Sequence, residues 1–360
     1  MPGSFSVSHR LVLPRRHFST CSIARSRDFP IWWRPIPAAP DNALALYIGP
    51  FNFGMPVIEN LPRFRHMEHI KFEKYTMAHF DDRRITDVLS QCPIKTASFT
   101  TSTFRNRTHL YGFLRHFPML EELSCVNLHF KTKARKREPV QHIGPSLRKV
   151  TVDSDDLWQA ALDGTSFGPI DKLQKVTIVN VKHDGLTQVG QFLRRTKNGL
   201  EELFVGHMHV IGHPRSEHIR WKARPEPLAL SHLRTLSVDI HGKERITGLT
   251  ETDIVLKWWL YMLQEMTKKD EAPRLEKLTI IVGTGRSRGS LWQEFDRCLT
   301  QNQFSAFKSF RVVINVFSPF IAENVEQQKQ LILNNCPLLR GKGMVDVVVR
   351  FVDLSTESVG

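Results

Sequence analysis

One unit, apolar-x-x-apolar-x-apolar, recurs along most of this 360-residue chain and limits what it can fold into. It is plainest at Leu120/Leu123/Cys125, Leu200/Leu203/Val205 and Leu275/Leu278/Ile280. It returns at Met67/Ile70/Phe72, Ile94/Ala97/Phe99, Leu147/Val150/Val152, Leu173/Val176/Ile178, Leu233/Leu236/Val238 and Phe307/Phe310/Val312. Weaker copies stand at Ala43/Leu46/Ile48 and Met344/Val347/Val349. From Met67 the first positions are spaced by 27, 26, 27, 26 and 27 residues, then by 33, 42 and 32. Five near-equal steps mark an internal repeat, and the longer later steps mark insertions or irregular units.

Within each unit the last positions alternate apolar-x-apolar, the period of a strand buried on one face. Between units run helical stripes: Leu186/Val189/Phe192/Leu193, Ile85/Val88/Leu89 and Leu110/Phe113/Leu114/Phe117, with longer helices expected over 254–266 and 290–299. Pro93, Pro118, Pro145, Pro273 and Pro337 stand where a helix must end and an extended segment begin. Strand and helix alternating at equal periods predict a parallel sheet of stacked neighbours. No single unit can bury its own apolar stripe, so the fold expected is an α/β, leucine-rich-repeat-like solenoid. This is a horseshoe with parallel strands on the concave face and helices on the convex one. The repeats are expected to span 41–353, after a basic, weakly ordered segment at 1–40 and before a short tail at 354–360.

Strand alternation identifies a candidate binding surface. The residue after the second apolar position must point away from the core. Down the copies it is Lys71, Ser98, Ser124, Thr151, Thr177, Phe204, Ser237, Thr279 and Arg311. Six of these nine are Ser or Thr, which suits a half-exposed strand face and not a buried column.

Composition excludes other classes. No window holds the ~18 uninterrupted apolar residues of a membrane span; the most apolar helix, 254–266, contains Lys257 and Glu265. Five cysteines (Cys21, Cys92, Cys125, Cys298, Cys336) lie far apart with no C-x-x-C pair, which is neither a disulfide framework nor a zinc signature. A reducing compartment, cytoplasm or nucleus, fits that usage. The first 27 residues are rich in Arg and hold no Asp or Glu, a composition shared with mitochondrial transit peptides. Pro14 and His17 interrupt any amphipathic helix there, and an untethered basic terminus or the remnant of an upstream domain is the plainer reading.

The net charge of +14 is compatible with nucleic acid, acidic proteins or anionic surfaces and selects none of them. Part of it is local. Lys131, Lys133, Arg135, Lys136 and Arg137 form one run, and Arg215, Arg220, Lys222 and Arg224 surround Trp221 in the long insertion after 200. Both read as charged loops on the rim of the concave face, with phosphate contact as the alternative.

Other motifs have bland readings. Gly283, Gly285 and Gly289 follow a strand and precede a helix, but their spacing is G-x-G-x-x-x-G, one residue too long for a dinucleotide fingerprint. His207, His209, His213 and His218 cluster around Gly212 and Pro214 with no Cys or carboxylate pair to complete a metal site. Asp153, Asp155 and Asp156 suit a turn or a cap. Trp258, Trp259, Tyr261 and Met262 suit a core helix, and Trp32-Trp33 a cover over the first repeat. No H-E-x-x-H or P-loop is present. Neither enzymatic activity nor a cofactor is expected.

The phrase Phe117-Pro-Met-Leu120-Glu-Glu-Leu123, looser at Pro273-Arg-Leu275-Glu-Lys-Leu278 and partial at Cys336-Pro337-Leu338-Leu339, resembles the irregular leucine-rich repeats of fungal F-box-like proteins. The resemblance covers about residues 40–350. It implies a non-enzymatic protein-binding module, the substrate receptor of a ubiquitin ligase, whose F-box would dock on the ligase adaptor while the repeats hold the substrate. This chain departs from the pattern: no full F-box precedes the repeats, and the stretch from Arg15 to Ile23 looks like the linker that follows one. A protein partner is therefore expected first and nucleic acid second, with no membrane.

Overall fold

The computed structural model describes residues 20–22, 45–48, 66–74, 76, 87, 89–132, 146–153, 172–179, 185–196, 199–206, 228–240, 251–268, 272–284, 288–316 and 322–352. Its strands are β1 (Thr20–Ser22), β2 (Ala45–Ile48), β3 (His69–Glu73), β4 (Thr96–Thr100), β5 (Thr103–Phe104), β6 (Glu122–Val126), β7 (His129–Phe130), β8 (Lys149–Val152), β9 (Lys175–Ile178), β10 (Glu202–Val205), β11 (Thr235–Ile240), β12 (Lys277–Val282), β13 (Ser309–Val316) and β14 (Val345–Phe351). The helices are α1 (Arg107–Leu114), α2 (Gly185–Thr196), α3 (Glu251–Met266), α4 (Gly289–Leu299), α5 (Ala322–Asn334) and α6 (Pro337–Gly341).

Twelve strands form one sheet in the order β1-β2-β3-β4-β6-β8-β9-β10-β11-β12-β13-β14, every neighbouring pair parallel. The order in space follows the order in sequence, so each strand packs beside the next repeat's strand. This mixed α/β arrangement begins at Thr20, ahead of residue 41. β5 and β7 make a separate two-stranded parallel ladder just past the ends of β4 and β6.

The pairing register is the repeat itself. Ile70, Ala97, Leu123, Val150, Val176, Leu203, Leu236, Leu278 and Phe310 are successive Cα partners. All three apolar positions of all nine strong units are buried. They share one hydrophobic cluster with Leu110 and Phe113 of α1, Phe192 of α2, Trp259 and Leu263 of α3, Trp292 and Phe295 of α4 and Ile332 of α5. The helices therefore lie against the face that those positions present. Aromatic rings stack along this core, as in Phe72 over Phe99 with centroids 5.2 Å apart and planes 2° from parallel. Trp258, Trp259 and Met262 are buried, with Tyr261 packed against them.

Three expectations change. The last copy slips by two residues: Val345, not Val347, pairs with Phe310, and Val347 pairs with Val312. A shift of two leaves each side chain on its own face, and the valine run permits either register. Pro337 does not open a strand; it starts α6, whose first N–H groups at Leu338 and Leu339 are accepted by the buried Asp296 carboxylate at 3.0 and 2.7 Å. A proline at a helix's first turn lacks only a donor that has no helical partner. Phe117 lies beyond α1, in the turn that follows, yet is fully buried. At 85–89 only Asp87 and Leu89 are described, both helical.

Cys92, Cys125, Cys298 and Cys336 are buried free thiols. Burial pushes the Cys298 and Cys336 thiols up to about 12 and raises those of Cys92 and Cys125 as well, which makes them poor nucleophiles. Among the described residues no helix is long and apolar enough to cross a membrane.

Candidate interaction face

Opposite the helices, the sheet presents its second face. Lys71, Ser98, Ser124, Thr151, Thr177, Phe204, Ser237, Thr279 and Arg311 are Cα partners from strand to strand and make one unbroken row, which Asp346 extends. Lys71 and Arg311 are exposed and the other seven half-buried. Both cations at the ends are paired, Lys71 Nζ to Glu73 Oε2 at 3.2 Å and Arg311 Nε to Asp346 Oδ2 at 2.9 Å. Between them run short hydroxyl side chains, interrupted once by the ring of Phe204. That ring lies over Gly206: a Cβ built there would sit 2.7 Å from Phe204 Cε1.

Two further rows border this one, and both are charged. At the strand entrances Glu68, Lys95, Glu121, Arg148, Gln174, Glu201, Arg234, Glu276 and Lys308 succeed one another. The N–H of each donates to the carbonyl of the one before, at 2.8–2.9 Å. Signs alternate along the row except at Gln174. Lys95 meets Glu68 at 2.8 Å, and Glu276 sits between Arg234 (2.8 Å) and Lys308 (2.7 Å). Hydrogen bonds from Lys308 and then Arg234 hold the Glu276 carboxyl below its ordinary range, and the bond from Lys95 does the same for Glu68. The next row holds Lys149 paired with Glu122 and Lys175 with Glu202, the latter at 2.8 Å. Side by side across parallel strands, these opposite charges cancel in pairs, and of the lysines in the second row Lys277 alone has uncharged register partners, Thr235 and Ser309.

Toward the far ends of the last strands the same face turns apolar. Asp239, Ile281, Val313 and Val348 are register partners. Ile281 is buried, Val313 half-buried and Val348 exposed. Sequence reasoning missed this strip and the alternating charges. Both were readable in the repeat alignment, the charges as the residue after each first apolar position and the strip as the double apolar runs 280–282, 312–314 and 347–349.

The remaining candidates divide. Lys131 is exposed just after β7, with its N–H donating to Phe104 O at 3.0 Å. Lys133, Arg135, Lys136, Arg137, Arg215, Arg220, Lys222 and Arg224, the four histidines from 207 to 218, Trp32-Trp33, Asp155 and Asp156 lie outside the described residues. The glycine loop has a structural account at its helix end. Asp253 Oδ1 accepts the Arg288 N–H at 3.1 Å, so a carboxylate already stands at the N-terminus of α4. A Cβ at Gly289 would lie 2.9 Å from Asn335 Nδ2, so close packing of α4 against the end of α5 accounts for that glycine. Asp153 accepts the backbone N–H of Asn127, the turn role expected of it.

No protein-family model and no curated protein matches the chain.

Proposed function

We propose that this chain is a non-enzymatic, leucine-rich-repeat-like solenoid that binds another protein through the sheet face opposite its helices. The observation that carries the reading is the row from Lys71 to Arg311: nine side chains in one register, mostly small hydroxyls, with one aromatic near the middle and an ion pair at each end. Short polar residues on a rigid strand ladder leave room for a partner's side chains and offer hydrogen bonds to them. Phe204 supplies a ring of the kind that anchors interfaces. The apolar strip at Val313 and Val348 widens the surface. Paired charges along the border favour a protein over a polyanion, because neutralised cations release no counterions from nucleic acid.

The likeness of Phe117–Leu123 to fungal F-box-type repeats supports the narrower reading, a substrate receptor of a ubiquitin ligase in cytoplasm or nucleus. The test is affinity capture from native lysate at low and high salt, with wild type beside a Thr177→Arg/Ser237→Arg variant. The reading predicts a protein bound stably in salt by wild type and lost by the variant. Capture of the ligase adaptor in addition would establish the receptor role. Nucleic acid released by salt, or capture indifferent to the two substitutions, would overturn the proposal.

A further inference from the structure

The last strand carries a pattern that reads the same from both directions. β14 is Val345-Asp-Val-Val-Val-Arg-Phe351, seven residues in unbroken register with β13. About its middle residue, Val348, the polar side chains are symmetric and opposite: Asp346 stands two places before and Arg350 two places after. Positions one and three places away on either side are all apolar. We infer that β14 pairs antiparallel with β14 of a second copy of this chain about a two-fold axis at Val348, joining two sheets into one.

Backbone parity allows that register. The Met344 carbonyl and the Val352 N–H both face β13 and bond to it at 2.8 and 2.9 Å. Peptide groups alternate sides along a strand, so the N–H and C=O groups of Val345, Val347, Val349 and Phe351 face outward. Among the described residues none pairs with them. In an antiparallel ladder centred on Val348, Val347 faces Val349 of the second copy and Val345 faces Phe351. These are the hydrogen-bonded pairs, made by the outward-facing groups. Asp346 then falls opposite Arg350, twice, in the closer non-hydrogen-bonded pairs where opposite charges attract across strands. Shifting the ladder by one pair in either direction would set both charges against apolar side chains.

Other features of the strand agree. Edge strands are ordinarily blunted by charged side chains, lysine above all, by proline, a bulge or brevity; the two charges of β14 are bonded to β13 side chains, it has no Lys or Pro, its register is continuous and it is seven residues long. Phe351 is 65 % and Val348 39 % exposed. The pairing would cover Phe351 with Val345 of the second copy and bring the two Val348 side chains together. Arg311 and Asn315 on β13 already hold Asp346 and Arg350, at 2.9 Å each, and so keep both side chains on the outward face. Because the axis is perpendicular to the sheet, both candidate interaction faces turn the same way, and the dimer is bivalent toward a partner.

Sedimentation velocity of the full chain over a concentration series tests this, with folding followed by circular dichroism. Wild type is expected to dimerise reversibly. Asp346→Arg alone sets Arg against Arg twice, and Arg350→Asp alone sets Asp against Asp twice. Each should weaken self-association by about tenfold or more. Mixed together, the two variants restore both pairs and should form a heterodimer. Val349→Pro removes an outward N–H without touching the β13 ladder, so it should abolish dimerisation and leave the melting temperature near wild type. A wild type that stays monomeric at high micromolar concentration, or single variants that dimerise like wild type, would overturn the inference.

Discussion

The carboxylate of Asp153 accepts the backbone N–H of Asn127, one repeat earlier, and so takes over the place of a main-chain carbonyl. In the two preceding repeats the equivalent donors bond to backbone: Lys74 N–H to Thr100 O and Thr101 N–H to Val126 O, both at 2.8 Å. Lys74, Thr101 and Asn127 all follow their strands directly and have φ of 52°, 51° and 54°. A left-handed turn thus repeats at the end of three strands, and a side chain closes the series. Removing the acceptor in Asp153→Ala strands the Asn127 N–H and should cost about 1–3 kcal/mol, read by denaturant unfolding.

Burial raises the Asp153 pKa above the ordinary aspartate range, and the Asn127 N–H offsets it only in part. The folded state therefore holds this proton to higher pH than the unfolded chain does. Stability is lost as pH climbs from the unfolded value through the raised folded one. Asp153→Asn keeps an acceptor and removes the titration. Its stability advantage over wild type should grow across that window, and an advantage that shrinks with rising pH would contradict the assignment.

Thr101 is a β-branched residue in the left-handed region, and its hydroxyl is buried without a hydrogen bond. Asparagine tolerates that conformation far better. Thr101→Asn should raise the melting temperature in a calorimetric scan, and a fall would mean that the turn is set by something other than backbone preference.

Glu276 bridges Arg234 and Lys308 across three strands, and its pKa is lowered by both. A depressed folded pKa contributes stability that is present above the unfolded value and lost as pH falls through the folded one. Glu276→Gln should therefore melt below wild type at neutral pH, match it once the glutamate is protonated, and lose most of the difference in high salt.

Strand register has its own test. Leu203 is buried and its neighbour on the adjacent strand, Val176, is fully so, whereas Thr177 is half-buried on the opposite face. Leu203→Asp places an unpaired charge in the core and should unfold the stack. Thr177→Asp should fold with a near-native circular dichroism spectrum. Equal damage from both would refute the facing of these strands.

Much of this was written in the sequence because one short pattern recurs at a near-constant period and neighbouring strands of the parallel sheet pair in its register. Buried apolar positions and the outward row follow from alternation alone. α5 was not legible because Gln328 stands within its buried stripe, where its Nε2 donates to Gly283 O at 3.3 Å, and Leu331 faces solvent. An apolar count sees no clean stripe there. α6 was obscured by Pro337, which reads equally as a stop or a start until the Asp296 carboxylate is seen accepting the N–H groups beside it. β5 and β7 are two residues each, too short for any period to show. The strip from Ile281 to Val348 escaped because apolar residues on both faces of a strand look like a buried strand, not a surface.

Site-specific photo-crosslinking tests the binding face most directly. A photoreactive residue would replace Ser124, Thr177 or Ser237 on the outward row, or Gln264 or Glu294 on the exposed sides of α3 and α4. The account predicts one protein adduct of the same mass from all three row positions and none from the helices. Adducts from the helix positions alone, or nucleic acid as the species trapped on the row, would contradict it.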